Sequence, residues 1–296
     1  MLESAEIEQV VWSPVRHRAL SFTGRDAGTY LHSQLSNDIM SLAPGESCQS
    51  FVLEPTGKVD ALVRVTRLEG EPEDRYLIDV DGDDIDHLTA RLERFKIRVQ
   101  AEMVPVPVVV LAVRTLRGTG DGAEDLARRL AGGGVGDEIV VVPAWWSDGR
   151  SFDVIMVGAD GATWNLDQLE DASLRAGSVD ESVIEEVRIA SGWPAMGAEI
   201  EPGETIPAAT GVVGRTVSFT KGCYPGQELV ERMDSRGAAA PRSLRILRLS
   251  ETGPLERGDS VRVDGAEVGV VTSVGRELVL AYVARSVSLG VVVGET

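Results

Sequence analysis

The alternation of apolar and polar residues divides the chain into elements. Residues 26–35 predict a short helix, with Asp26 as N-cap and Leu31 and Leu35 on one face. Ser36-Asn37-Asp38 ends it, and Pro44-Gly45 marks the next turn. From Phe51 the pattern becomes strand-like: Val59, Ala61, Val63 and Val65 alternate with more polar neighbours, as do Tyr76, Ile78 and Val80. Ile85, Leu88, Leu92 and Phe95 recur at near-helical spacing and predict a helix over 83–94 capped by Asp83. Residues 106–113 read as one buried strand. Strand, strand, helix and strand in this order describe a compact α+β unit.

A glycine-rich excursion over 118–136, with a short helix near 124–130, precedes strands at 138–146 and 152–158. A helix over 181–190 leads into the turn Ser191-Gly192-Trp193-Pro194. After Pro241 the elements shorten to strands at 244–249, 260–263, 268–272 and 278–283, with Asp264-Gly265 as a hairpin signal. That spacing predicts a small C-terminal β-barrel. The expected units are residues 1–50 with 137–235, residues 51–136, and residues 236–296.

A chain of 296 residues can bury a substantial core, and no run of about 18 apolar residues suggests a membrane span. The first residues are acidic and lack the pattern of a secretory signal. Cys48 and Cys223 lie far apart and form no disulfide framework, so a cytoplasmic location is expected. The net charge of −18 argues against broad binding to nucleic acid or anionic lipid. Between Thr210 and Arg248, however, seven basic residues face three acidic ones, a local +4. A small anionic ligand would find its landing place there.

That basic stretch contains Lys221-Gly222-Cys223-Tyr224-Pro225-Gly226-Gln227-Glu228, just before an expected helix. A thiol near a cation or a helix N-terminus gains thiolate character, and this segment offers both. Gly222 and Gly226 permit backbone angles that let a loop press its N–H groups against a ligand. The competing reading is a structural turn with a buried, inert cysteine.

The segment closely resembles the K-G-C-[FY]-x-G-Q-E signature of YgfZ-type folate-binding proteins, relatives of the glycine-cleavage T-protein. The resemblance extends to Leu20 through Gly24, Asn37-Asp38-Ile39, Pro55-Thr56-Gly57-Lys58, Gly192-Trp193-Pro194, Thr205-Ile206-Pro207 and Val268 through Ser273. It implies an α+β fold of three domains around a central channel that holds tetrahydrofolate. The role it implies is support of iron–sulfur cluster assembly or repair, and through that of tRNA modification. Cys223 would be the reactive thiol and Lys221 its electrostatic partner. Arg188, Glu199, Gly222, Tyr224, Gly226, Gln227 and Glu228 would shape the folate pocket, with Asn37 and Asp38 on the opposite wall. The partners implied are a reduced folate and iron–sulfur proteins or assembly factors.

Two departures count against T-protein chemistry. Ala61 and Leu62 stand where that family carries an aspartate, with Asp60 offset, and Arg188-Ile189-Ala190 replaces its Arg-x-Glu. A folate-dependent one-carbon transferase therefore becomes the second reading, and a ligand-free interaction protein the third. No metal site is expected. Asp79 and Asp81 only echo a calcium loop, and His17, His32 and His87 lack ligand spacing. Cys48 reads as core. Trp145-Trp146 reads as packing, with one ring able to line a cofactor channel.

Overall fold

The computed structural model describes residues 9–70, 74–82, 85–117, 121–146, 149–160, 164, 171–235 and 240–294. Strands β1 (Gln9–Val15) and β2 (His17–Thr23) are separated only by Arg16 yet enter different sheets, and helix α1 (Ala27–Gln34) follows. Strands β3 (Ser47–Leu53), β4 (Val59–Leu68) and β5 (Arg75–Asp81), helix α2 (Ile85–Glu93) and strand β6 (Glu102–Val106) complete the first sheet, in antiparallel order β3-β4-β5-β2-β6. Strand β7 (Val108–Arg117), helix α3 (Asp121–Gly132) and strands β8 (Glu138–Pro143) and β9 (Ser151–Val157) build the second, β1-β7-β9-β8.

Helices α4 (Ala172–Ala176), α5 (Glu181–Ala190), α6 (Val213–Thr216) and α7 (Gln227–Ser235) lead to the third sheet. It comprises β10 (Arg242–Arg248), β11 (Ser260–Val263), β12 (Ala266–Val274), β13 (Leu278–Ala284) and β14 (Val291–Val292), with the short helix α8 (Leu249–Thr252) after β10. Its order is β11-β12-β13-β10-β14.

Amphipathic patterning explains the layers. Leu31, Leu35, Leu88 and Leu92 of α1, its C-cap and α2 bury against Leu20, Val63 and Ile78 on the outer face of the first sheet. Ala127 and Leu130 of α3 do the same against Leu111, Val154 and Met156 of the second. The inner faces meet through Ala19, Leu77, Val110, Val142 and Ile155. Each fully buried Leu or Ile here contributes about 1.5–3 kcal/mol. Helix α5 stands at the edge of this sandwich, and its Ile189 packs on Leu244 and Leu280 of the third sheet.

Several expectations need correction. Residues 106–113 are not one strand: the chain turns at Pro107, which has no N–H for a ladder, and β6 and β7 belong to different sheets. Strand pairing crosses the boundaries expected for the units, with β3 and β4 pairing across residues 50 and 51 and β7 pairing with β9 across residue 136. Strand β4 is buried on both faces, since its polar side faces the second sheet instead of water. Asp26 occupies the N-cap position of α1, but its carboxylate accepts from the Gln100 N–H at 2.8 Å and leaves the helix uncapped. Asp83 lies outside the described residues. The edge strands β11 and β14 of the third sheet are not paired with each other among the described residues. At its hairpin, Asp264 (φ 50°) and Gly265 (φ 81°) both take left-handed angles, as the Asp-Gly signal requires.

Candidate functional site

The cysteine loop is clamped at four points. Gly226, at φ 80°, presses against the turn after β3, where an added Cβ would lie 2.8 Å from Leu53 Cβ and 3.0 Å from Gly57 Cα. Tyr224 is buried in an apolar cluster with Phe51, Val59, Trp193 and Val230. Its N–H donates to Gln227 Oε1 at 3.2 Å, and the Gln227 amide donates to Glu231. Lys221 crosses to α1, where its ammonium donates to the carbonyls of His32 and, at 2.6 Å, Leu35. Between these anchors Gly222 and Cys223 are exposed, the cysteine as a free thiol.

Lys221 is thus turned to a helix C-terminus, where a cation complements the dipole. It was expected to partner Cys223; its Nζ instead caps α1 and lies 5.1 Å from the centre of the Tyr224 ring. Desolvation pulls its pKa down to about 8, outweighing the opposing pull of Asp38 and Cys48. Burial, followed by Asp38, pushes the Cys48 thiol up to about 12, so that sulfur stays protonated near neutrality. Gly222 is not left-handed and meets nothing within 4 Å, so the conformational demand expected of both glycines falls on Gly226.

A cavity of about 440 Å³ opens elsewhere, where the first two sheets meet α5. The ends of β1, β2 and β5 supply Val15, His17 and Asp81; β7 supplies Arg114. Trp145 and Trp146 after β8, and Trp193 after α5, supply aromatic wall. Trp145 meets Trp193 edge-on with ring centres 6.4 Å apart, and the Arg114 guanidinium lies 4.6 Å from the centre of Trp146. Two donors behind this wall, Trp145 Nε1 and Arg114 Nε, have no hydrogen-bond partner among the described residues.

Beneath the cavity runs a chain of buried charges. His17 Nδ1 lies 2.8 Å from Asp79 Oδ2, and Arg64 donates to both Asp79 oxygens and, at 2.6 Å, to Asp153. Arg114 meets the other Asp153 oxygen at 2.7 Å. The two arginines hold both carboxyls below their ordinary range despite desolvation. Asp81 differs: it makes no side-chain hydrogen bond to a described residue and is reached by solvent through the cavity mouth. Desolvation by the walls raises its pKa, and Glu185 and Asp79 add to this against His17 and Arg188.

The residues singled out in sequence fall in separate places. Arg188 lines the cavity, and its guanidinium is bound by Glu185 (2.6 and 2.7 Å), Glu199 (3.0 Å), Ser273 Oγ (2.8 Å) and the Trp193 carbonyl (2.5 Å). Glu199 is buried outside the cavity, saturated by Arg188, the Ala195 N–H and Ser273. Asn37 ties β3 to α6, donating to the carbonyls of Gln49 and Arg215, while Asp38 accepts from the Ser41 N–H. Tyr224, Gln227, Glu228 and Cys223 likewise do not line the cavity. Sequence reasoning missed His17, Asp81, Arg114 and Glu185. For His17 and Asp81 the available signal was a polar residue at a strand end, whereas Arg114 within β7 and Glu185 on α5 carried none.

No family model matches the chain. An uncharacterized protein of Haemophilus influenzae is 22% identical over 280 residues, covering 88% of this chain and 82% of that protein. A mitochondrial iron–sulfur cluster assembly factor IBA57 homolog of Mycosarcoma maydis is 24% identical over 241 residues, 77% of this chain. The chain spans only 55% of the length of that homolog. Among solved structures, the glycine cleavage system aminomethyltransferase T of Bartonella henselae superposes with a TM-score of 0.70 at 17% identity, covering 94% of this chain and 80% of the other. Three packed sheets with α5 between them therefore make up the fold of an aminomethyltransferase T.

Proposed function

We propose that this protein is a folate-binding accessory factor for iron–sulfur cluster assembly or repair, of the YgfZ type, with tetrahydrofolate or another reduced folate in the cavity. The observation that carries the reading is the pairing of a tryptophan-walled cavity with an unengaged carboxylate, Asp81. A pterin is flat, stacks on aromatic rings, and presents two adjacent N–H donors on one edge. A carboxylate accepts such a pair with both oxygens. The cavity volume of about 440 Å³ falls within the range of about 300–1,000 Å³ usual for small-molecule sites.

The assembly role draws support from the IBA57 homolog. Cys223 supplies the thiol. Rigid anchors on both sides hold it outward, suited to transient contact with a partner's cluster or a small thiol, and downstream tRNA-modifying cluster enzymes would depend on it. The one-carbon transferase reading loses ground because Asp60 is engaged by His87 Nε2 at 2.6 Å and Arg91 Nε at 3.3 Å, outside the cavity.

The test combines a thermal-shift panel of reduced folates with genetic rescue. Folate raises the melting temperature of wild type and of Cys223→Ala alike, since a ligand that binds only the native state stabilises it. Only wild type restores cluster-enzyme activity in cells lacking the protein. Full rescue by Cys223→Ala, or no shift with any reduced folate, would overturn the reading.

A further inference from the structure

We propose that the cavity discriminates against polyanionic ligands, so that a folate binds there best with a single glutamate or none. This rests on the folate reading of the same cavity. Four carboxylates surround the opening: Asp81 at the end of β5, Asp180 and Glu181 at the start of α5, and Glu185 one turn further on. All four are exposed.

The cations of the wall do not offset them. Arg114 faces Asp153 at 2.7 Å, Arg188 faces Glu185 and Glu199 at 2.6 and 3.0 Å, and His17 faces Asp79 at 2.8 Å. Arg64 shares its charge between Asp79 and Asp153. The α5 N-terminus, ordinarily attractive to anions, is already filled by Asp180, whose carboxylate accepts from the Ser182 N–H at 2.9 Å. No lysine lines the cavity among the described residues.

A pterin edge that donates hydrogen bonds suits this negative field. A polyglutamate tail does not, because each added γ-linked residue brings one more negative charge toward the rim. Charges within about 10 Å of one another are only partly screened at ~0.1 M salt. Each added glutamate should weaken binding by roughly two- to tenfold at low ionic strength.

The experiment titrates tetrahydrofolate monoglutamate and pentaglutamate into wild type and into the double variant Asp180→Asn/Glu181→Gln, at low and high salt, by calorimetry. Asparagine retains N-capping ability, so the helix start is preserved. The expected result is weaker pentaglutamate binding to wild type, a gap that narrows with salt, and a smaller gap in the variant. Pentaglutamate binding as tightly as monoglutamate at low salt would overturn the proposal and leave the folate reading standing. Such a result would route the tail past Arg188 toward Arg257 in the adjoining cavity, which shares Glu185 and Arg188 as its wall. Absence of binding by both ligands would overturn both.

Discussion

Gly57 and Gly226 meet face to face where the turn after β3 abuts the loop before α7, each at a left-handed φ, 87° and 80°. A methyl on Gly57 would lie 3.0 Å from the Gly226 carbonyl oxygen, and one on Gly226 would lie 3.0 Å from Gly57 Cα. This contact fixes the base of the loop that carries Cys223. Gly226→Ala should lower stability by about 2–4 kcal/mol through backbone strain and overpacking. Gly222→Ala should fall within about 0.5 kcal/mol of wild type. Urea unfolding of the two variants checks this, and equal losses would refute the interlock.

Arg64 is wholly buried between Asp79 and Asp153 and joins the first sheet to the second. Arg64→Met should destabilise the fold by about 3–5 kcal/mol, because it removes the guanidinium shared by two buried carboxylates and leaves Asp79 with only His17 and Asp153 with only Arg114. Chemical denaturation measures this. A loss below about 1 kcal/mol would mean that the charge chain is not needed to hold the sheets together.

Lys221 gives a pH signature. Its pKa in the fold is about 8, below the ordinary 10.5, so the fold disfavours the charged form. For such a group the stabilising contribution is present above the unfolded pKa and is lost as pH falls through the folded one. The melting temperature of wild type relative to Lys221→Met should therefore rise between pH 8 and about 10.4. A flat difference across that window would contradict the buried position of Nζ.

The sequence made the separate elements legible more readily than their assembly. Near-helical spacing of Ile85, Leu88 and Leu92 located α2, and the Asp-Gly signal located the hairpin between β11 and β12, because both depend on neighbours in the chain. Pairing was hidden. Nothing near Lys221 announces that its partners are the carbonyls of His32 and Leu35, and nothing around Val63 says that the polar face of β4 is roofed by a second sheet. The site divided for the same reason. The Cys223 motif is local and could be read directly, whereas Asp81, Arg114 and Trp193 come together only through three elements distant in sequence.

Asp81 carries a second linkage. Its folded pKa is raised, so it favours the fold fully below the unfolded carboxylate pKa of about 3.9, and that contribution is lost as pH rises through the folded value. Asp81→Asn should raise the melting temperature at neutral pH, with the gain vanishing in acid. A variant less stable than wild type at pH 7 would show that the carboxylate is structural.

The most direct measurement is a calorimetric titration of tetrahydrofolate into wild type, Asp81→Ala and Cys223→Ala. The expected result is equal binding by wild type and Cys223→Ala and at least a roughly tenfold loss in Asp81→Ala, since removal of a charged hydrogen-bond partner costs about 1.5–3 kcal/mol. Loss of binding in Cys223→Ala with Asp81→Ala unaffected, or no binding to wild type, would contradict a folate site in the tryptophan-walled cavity.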